Sequence, residues 1–281
     1  MDAELSGRLE RSGYGEAGFA ERYDRVRPRP PAALLDLLPA LAGVERPRLV
    51  VDLGCGTGLS TRLWAAHADE VIGVEPNEAM RSFAESATDA ANVRFVGESA
   101  YATGLADGCA DLVTASQSLH WMRPEQVFPE IGRILRPGGV FCAYEYFSLQ
   151  TPLWEPEAAW EVVLARKREL RAERGFTEDV WPVSRRRLEE SGVFRRVKEL
   201  ALQNVESGDG DRLIGLALSE GSMVTLLEAG VTEAEVGLDR LRTAGLLMPA
   251  PVPWWISYRV WVGLKEVDPA GLEPAASTMP R

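Results

Sequence analysis

The strongest chemical signature in the chain is one short run, Val51-Asp52-Leu53-Gly54-Cys55-Gly56-Thr57-Gly58. Alternating glycines let a backbone approach a ligand closely and expose amides where a helix begins. Such a loop suits a nucleotide-like ligand of any kind. The dinucleotide pattern G-x-G-x-x-G would place its third glycine at position 59, which is Leu59. The run is instead G-x-G-x-G, preceded by Asp52. A carboxylate is unfavourable beside a pyrophosphate and favourable beside a ligand carrying an ammonium and a sulfonium. Glu75, at the tip of the next apolar run, can accept two hydrogen bonds from a ribose diol. It marks an adenosine ligand without choosing its class.

These residues need strands and helices to hold them. Arg48 to Leu53, Glu70 to Glu75, Asn92 to Val96, Ala110 to Ala115 and Val140 to Tyr146 read as short, apolar, buried strands. Helical segments alternate with them: Ala32 to Leu41 opening at Pro31, Leu59 to His67, one opening at Pro76-Asn77, and Pro124 to Leu135. Arg136 to Gly139 reads as a tight turn. Strands alternating with helices predict a doubly wound, mostly parallel α/β sheet. Beyond Phe147 the pattern changes to helices at Glu157 to Arg174 and Ser184 to Ser191. A strand follows at Arg195 to Gln203, then helices broken at Gly221 and Gly230, then a long strand at Trp254 to Leu264. The domain reading is therefore an N-terminal segment 1–31, a ligand-binding core 32–147 and a second half of the sheet, 148–208 with 247–267. Residues 209–246 form a helical insertion, and the tail 268–281 is expected to be disordered.

The chain has 281 residues, 46% hydrophobic and 26% charged, enough for a substantial core. A net charge of −11 argues against a polyanionic partner, so no nucleic acid is expected. The basic run Arg185-Arg186-Arg187 is flanked by Glu189 and Glu190 and reads as a solvated helix face. Three cysteines without a CxxC pair suggest reduced thiols, and two histidines leave no multi-histidine metal centre. The polar start MDAELSGRLERSG and the lack of a long apolar run predict a soluble, cytoplasmic protein without a membrane segment.

The runs VVDLGCGTG, VIGVEPN, VRFVGESAYATGLADGCADLVTASQSLHWM and RILRPGGVF resemble class I S-adenosylmethionine-dependent methyltransferases, most closely the type 11 group acting on small molecules. The match spans about residues 14 to 146, and the remainder agrees only in outline. The resemblance implies a seven-stranded Rossmann-like sheet, S-adenosylmethionine as cofactor and S-adenosylhomocysteine as product. It places Asp52, Gly54, Gly56 and Gly58 at the methionine and ribose end, Glu75 on the ribose, and Pro76 and Met80 near the adenine. Ser99 and Ala100 would border the adenine edge, with Ser99 replacing the aspartate commoner in the family. Ser116 and Gln117 would lie under the methionine moiety and face the acceptor.

For catalysis, His120 is the favoured general base or acceptor-orienting group, with loop fastening as its plainer reading. Displacement at a methyl on positive sulfur needs alignment more than a strong base. Tyr14 and Tyr23 lie in the segment that closes over the cofactor in similar enzymes. They either orient the acceptor or anchor that lid. Arg27 could pair with the cofactor carboxylate, and Glu145 and Tyr146 could touch the acceptor. Trp254, Trp255 and Trp261 read as sheet core, His67 and Cys55 as structural. The acceptor is expected to be a small metabolite, as in secondary-metabolite biosynthesis, and a homo-oligomer is left open. Two alternatives remain: a nicotinamide-dependent oxidoreductase, and a non-catalytic cofactor-binding scaffold.

Overall fold

Val50, Val51 and Leu53 of β1 (Leu49–Leu53) are fully buried, because helices cover both faces of the strand. The computed structural model describes residues 18–176 and 180–266. Tyr14, the rest of residues 1–17 and the tail 268–281 lie outside the described residues. β1 pairs in parallel with β2 (Glu70–Val74) on one side and β4 (Ala110–Ser116) on the other. β3 (Val93–Val96) extends the sheet beyond β2, and β5 (Leu135–Gln150) beyond β4. β7 (Val252–Lys265) then runs antiparallel between β5 and β6 (Phe194–Gly208), giving the order β3-β2-β1-β4-β5-β7-β6. The chain thus winds outward from β1 in both directions. A crevice opens where the carboxyl ends of β1 and β4 part, the place where open α/β sheets bind ligands.

Alternate strand residues feed two cores. Val50, Leu112, Val140 and Tyr144 face α2 (Leu34–Ala42), α6 (Trp154–Glu173) and a helical insertion. Val51, Val113, Phe141 and Ala143 face α5 (Pro124–Ile134), through Val127, Phe128 and Ile131. The insertion comprises α8 (Gly210–Leu218), α9 (Gly221–Glu228), α10 (Glu233–Val236) and α11 (Leu238–Gly245), between β6 and β7. Gly210 and Gly245 let α8 and α11 cross closely; a Cβ on Gly210 would lie 2.1 Å from the Gly245 carbonyl oxygen. The remaining helices are α1 (Phe19–Val26), α3 (Leu59–Leu63), α4 (Glu78–Ser86) and α7 (Arg185–Glu190).

Several boundaries differ from the sequence reading. α3 stops at Leu63, and the chain continues to Ala68 in tight turns around the wholly buried Trp64, with Asn92 donating to the Ala65 and Ala68 carbonyls. The turn at Arg136 to Gly139 lies within β5, whose register to β4 shifts between Leu135 and Val140. β6 continues to Gly208 because β7 supplies a partner along its whole length. Trp255 is a correction: Trp254 and Trp261 are buried, but Trp255 points to the opposite face and is 38% exposed. On α7, Arg185 pairs with Glu189 and Arg186 with Glu190, in a solvated i,i+4 arrangement.

Candidate functional site

The glycine loop is fastened to β2 by its own backbone: Gly54 N and Cys55 N both donate to Val74 O, at 2.8 and 3.2 Å. Gly54, Gly56 and Gly58 all take left-handed conformations, with φ of 63°, 56° and 81°. At Gly54 space is as decisive as conformation. A Cβ there would stand 2.8 Å from Ser118 Cβ, and Ser118 is itself fixed by donating to Leu53 O at 2.7 Å.

Two carboxylates flank the loop and do different work. Glu75 Oε2 accepts from Gly56 N at 2.9 Å and Oε1 from Asn77 N at 2.8 Å. Asn77 also caps α4, its Oδ1 accepting from Met80 N at 3.1 Å, so loop, carboxylate and helix start are one unit. Burial pushes the Glu75 carboxyl up, and the two backbone bonds and Arg81 oppose the shift. Glu75 lies on the wall of a cavity that the glycine loop also lines. Asp52 does not. It is wholly buried beneath the loop, where Oδ1 accepts from Thr114 Oγ1 at 2.7 Å and Ser60 Oγ at 3.3 Å, and Oδ2 from Thr61 Oγ1 at 2.8 Å. Desolvation outweighs these three bonds and raises its carboxyl to about 6. Asp52 thus lies off the cavity wall, its oxygens accepting from three hydroxyls of α3 and β4.

The cavity opens to solvent at its mouth. Gly54 and Gly56 form its base, and Pro76, Met80, Ser99 and Ala100 one flank. Ser99 Oγ accepts from Tyr101 N at 3.2 Å, so part of its bonding capacity is used locally. Ser116 and Gln117 line the opposite flank. Gln117 has a φ of 53°, alone among described non-glycine residues in the left-handed region, and its buried Nε2 has no hydrogen-bond partner. Strain of this kind concentrates at functional sites, and nothing in the sequence marks it. Gly58 is set back from the cavity, its hypothetical Cβ 3.0 Å from Phe95. Cys55 is on the wall, but burial, Glu75 and Asp52 push its thiol well up, so it stays protonated.

The roof and mouth come from distant parts of the chain. Tyr23 and Arg27 of the α1 region line the cavity with Pro28, Pro30, Trp121 and Tyr146. The Arg27 guanidinium stacks 4.5 Å above the Tyr23 ring, donates to Tyr146 Oη, and donates to Ser219 O at 2.8 Å. His120 is not among the lining residues. Its Nδ1 lies 2.6 Å from Glu145 Oε1, and its carbonyl accepts from Trp181 N at 2.8 Å. The loop thereby presents Trp121 to the cavity and keeps His120 behind it. Among the described residues, no group of three or more His, Cys, Asp or Glu side chains could hold a metal ion, and no helix is long and apolar enough to cross a membrane.

Comparison with known proteins points one way. Residues 51–143 match the family model of a methyltransferase domain. A Saccharomyces cerevisiae protein assigned as an S-adenosylmethionine-dependent methyltransferase is 33% identical over 148 residues, 50% of each chain. The trans-aconitate 2-methyltransferase of Methylobacterium radiotolerans is 35% identical over 134 residues, 47% of this chain and 49% of the relative. The chain thus spans about half the length of the curated relatives it matches. Among solved structures, a chain assigned as a type II methyltransferase from Anaeromyxobacter dehalogenans aligns with a TM-score of 0.64 at 24% identity. That alignment covers 86% of this chain and 99% of the other, and it shows a shared fold.

Proposed function

From the premise that residues 51–143 form a class I methyltransferase domain, we propose that the chain transfers a methyl group from S-adenosylmethionine to an N, O or C atom of a small metabolite. S-adenosylhomocysteine is the product. The observation carrying this reading is the union of the left-handed glycine loop with the Glu75 carboxylate through Gly56 N. The cavity fits the cofactor on two counts. The glycines leave a backbone cradle that a Cβ would fill. Thr57 Oγ1 and Gln117 Nε2 are buried on the wall without a protein partner, the condition a polar ligand relieves.

When bound, the cofactor supplies a methyl group made electrophilic by positive sulfur. Glu75 holds the ribose hydroxyls, and Pro76, Met80 and Ala100 give the adenine an apolar bed with Ser99 at its edge. Gln117 offers its amide to the methionine end. Asp52 supports the loop from below. Tyr23, Trp121 and Tyr146 face the acceptor, and Arg27, tied to Ser219, holds α1 over the cavity to limit water. His120 acts as the clasp of the mouth loop through Glu145, and takes a proton only from an acceptor that reaches past Trp121. A small acceptor agrees with the enclosed aromatic mouth and the net charge of −11. We place the enzyme in the cytoplasm, with a role in secondary-metabolite biosynthesis.

Calorimetric titration with S-adenosylmethionine, S-adenosylhomocysteine and NAD tests this reading. Both sulfur ligands are expected to bind, and Glu75→Ala to weaken them by about 1–3 kcal/mol, the cost of losing a hydrogen bond to a charged group. Binding of NAD in place of both would overturn it.

A further inference from the structure

A sheet edge offers its backbone N–H and C=O groups to any strand that can reach them, and folded proteins blunt such edges with short strands, prolines or bulges. The two edges of this sheet are treated differently. β3 closes one of them with four residues, Val93 to Val96. β6 closes the other with 15, contains no proline, and pairs with β7 on one side only. Among the described residues no strand covers its outer edge. Its irregularities lie at the ends: the register to β7 shifts between Phe194 and Arg196, and Ser207 O accepts from Arg212 Nη1 at 2.7 Å. The uninterrupted edge is therefore 196–206, with the exposed Ala201 at its midpoint.

We propose that β6 is a dimer interface, pairing antiparallel with β6 of a second copy of this chain about a two-fold axis at Ala201. A two-fold contact demands a surface complementary to itself, and the strand meets that demand in this register. It sets Leu200 opposite Leu202, Val197 opposite Val205 and Arg196 opposite Glu206, with Lys198 facing Asn204 and Glu199 facing Gln203. Apolar residues meet apolar ones, and no like charges meet. An axis at Leu200 would set Lys198 against Leu202; one at Leu202 would set Leu200 against Asn204 and Glu199 against Val205. A one-residue slip would turn the two core faces to opposite sides of the joined sheet. Pairing also supplies neighbours where they are lacking: Leu200 and Leu202 are half-buried, and Val205, beside Trp255 on β7, is 59% exposed. A groove receives the end of the partner strand. It lies between Arg185 and Glu189 of α7 and Phe194 to Lys198 of β6. Consecutive strand residues point to opposite faces, so a groove they share follows the edge. The register brings Asn204 to Glu206 of the second copy there, a carboxylate arriving at a largely basic rim. Glu206 is held in place by Arg212 and by Arg29 N, which donates to Oε1 at 2.7 Å.

The test needs no ligand. Light scattering on the eluting protein, over about a hundredfold range of concentration, should give twice the chain mass at the upper end. Ala201→Arg sets two guanidinium groups opposite each other at the axis, where like charges oppose pairing. Its dimer Kd should rise at least about tenfold, with an unchanged circular dichroism spectrum because the site is exposed. Cysteines read the register. Ala201→Cys brings two thiols face to face, since opposite Cβ atoms stand about 5 Å apart, close enough for a disulfide. In Gln203→Cys the two thiols lie four residues apart along the ladder, about 13 Å. Mild oxidation should join the first variant into a covalent dimer and leave the second and the wild type unjoined. A wild type that is monomeric throughout, a dimer that Ala201→Arg leaves intact, or equal cross-linking of the two cysteine variants overturns the proposal.

Discussion

The loop side and the lid side of the cavity are held together over very different distances along the chain. On the loop side, Glu75 reaches Gly56 and Asn77, 19 and 2 residues away, and Asp52 reaches Ser60 and Thr61, 8 and 9 away. On the lid side, Arg27 reaches Tyr146 and Ser219 across 119 and 192 residues, and Tyr258 Oη donates to Arg29 O across 229. The first side is held mostly within Asp52 to Asn77, with Thr114 and Ser118 bracing it from β4 and the loop after it, 62 and 65 residues from their partners. The second exists only when the whole sheet and its insertion are assembled. The methyltransferase-domain match covers the first side and ends at 143, before Tyr146 and Ser219. The segment matched by the domain model thus holds its bonds mostly at short range, and the roof of the cavity holds its bonds at long range.

Substitutions can break or sharpen that contrast. Gly54→Ala should do most damage, since it forces an alanine to φ 63° with its Cβ 2.8 Å from Ser118 Cβ. The backbone strain alone is worth about 1–3 kcal/mol. Denaturant unfolding and a titration with S-adenosylhomocysteine should report lower stability and lost binding together; a wild-type-like titration would refute the cradle. Arg27→Met strikes the lid. It leaves Ser219 O without its donor, at a cost of about 1–3 kcal/mol. Its Tm should fall while the Kd for S-adenosylhomocysteine stays within a few-fold, and a loss of affinity matching that of Glu75→Ala would erase the contrast. Asp52 gives a pH signature. Its carboxyl is raised from 3.8 to about 6, so the native state holds the proton more tightly than the unfolded chain. Its contribution to stability is greatest at acid pH and declines as pH rises from about 4 through about 6. Asp52→Asn should flatten that decline, and unchanged pH dependence in unfolding experiments would count against it. Arg186→Ala, breaking one exposed pair on α7, should leave Tm and ligand binding unchanged.

Much of the loop side was legible in the sequence because burial on both strand faces demands apolar runs, and left-handed turns demand glycine. β1 to β5 and the Gly54, Gly56 and Glu75 positions follow from those two requirements. The insertion was legible in position, since its apolar helices fall between two strands. The true surroundings of Asp52 were not. A carboxylate after a strand reads the same whether it faces a ligand or three hydroxyls, and the third hydroxyl, Thr114, comes from another strand 62 residues on. Gln117 gave no warning either, since its φ is imposed by the junction of β4 with the loop that carries Ser118. The lid partners of Arg27 were beyond reach for the simplest reason: no local pattern links positions 27, 146 and 219.

The insertion leaves and re-enters the sheet at adjacent rungs, for Gly208 at the end of β6 is paired with Val252 at the start of β7. It is in effect the long loop of a hairpin already closed by the sheet, and the entropy cost of lengthening such a loop grows only slowly. Helices can be added, shortened or exchanged there while β1, β2 and the glycine loop stay as they are. Because Ser219, and Arg212 with its bond to Val26 O, both belong to the insertion, each exchange would also re-hang the segment across the cavity. The molecule is divided like a tool with a fixed handle and an interchangeable head: the cover of the cavity can change while Glu75 keeps its bond to the glycine loop.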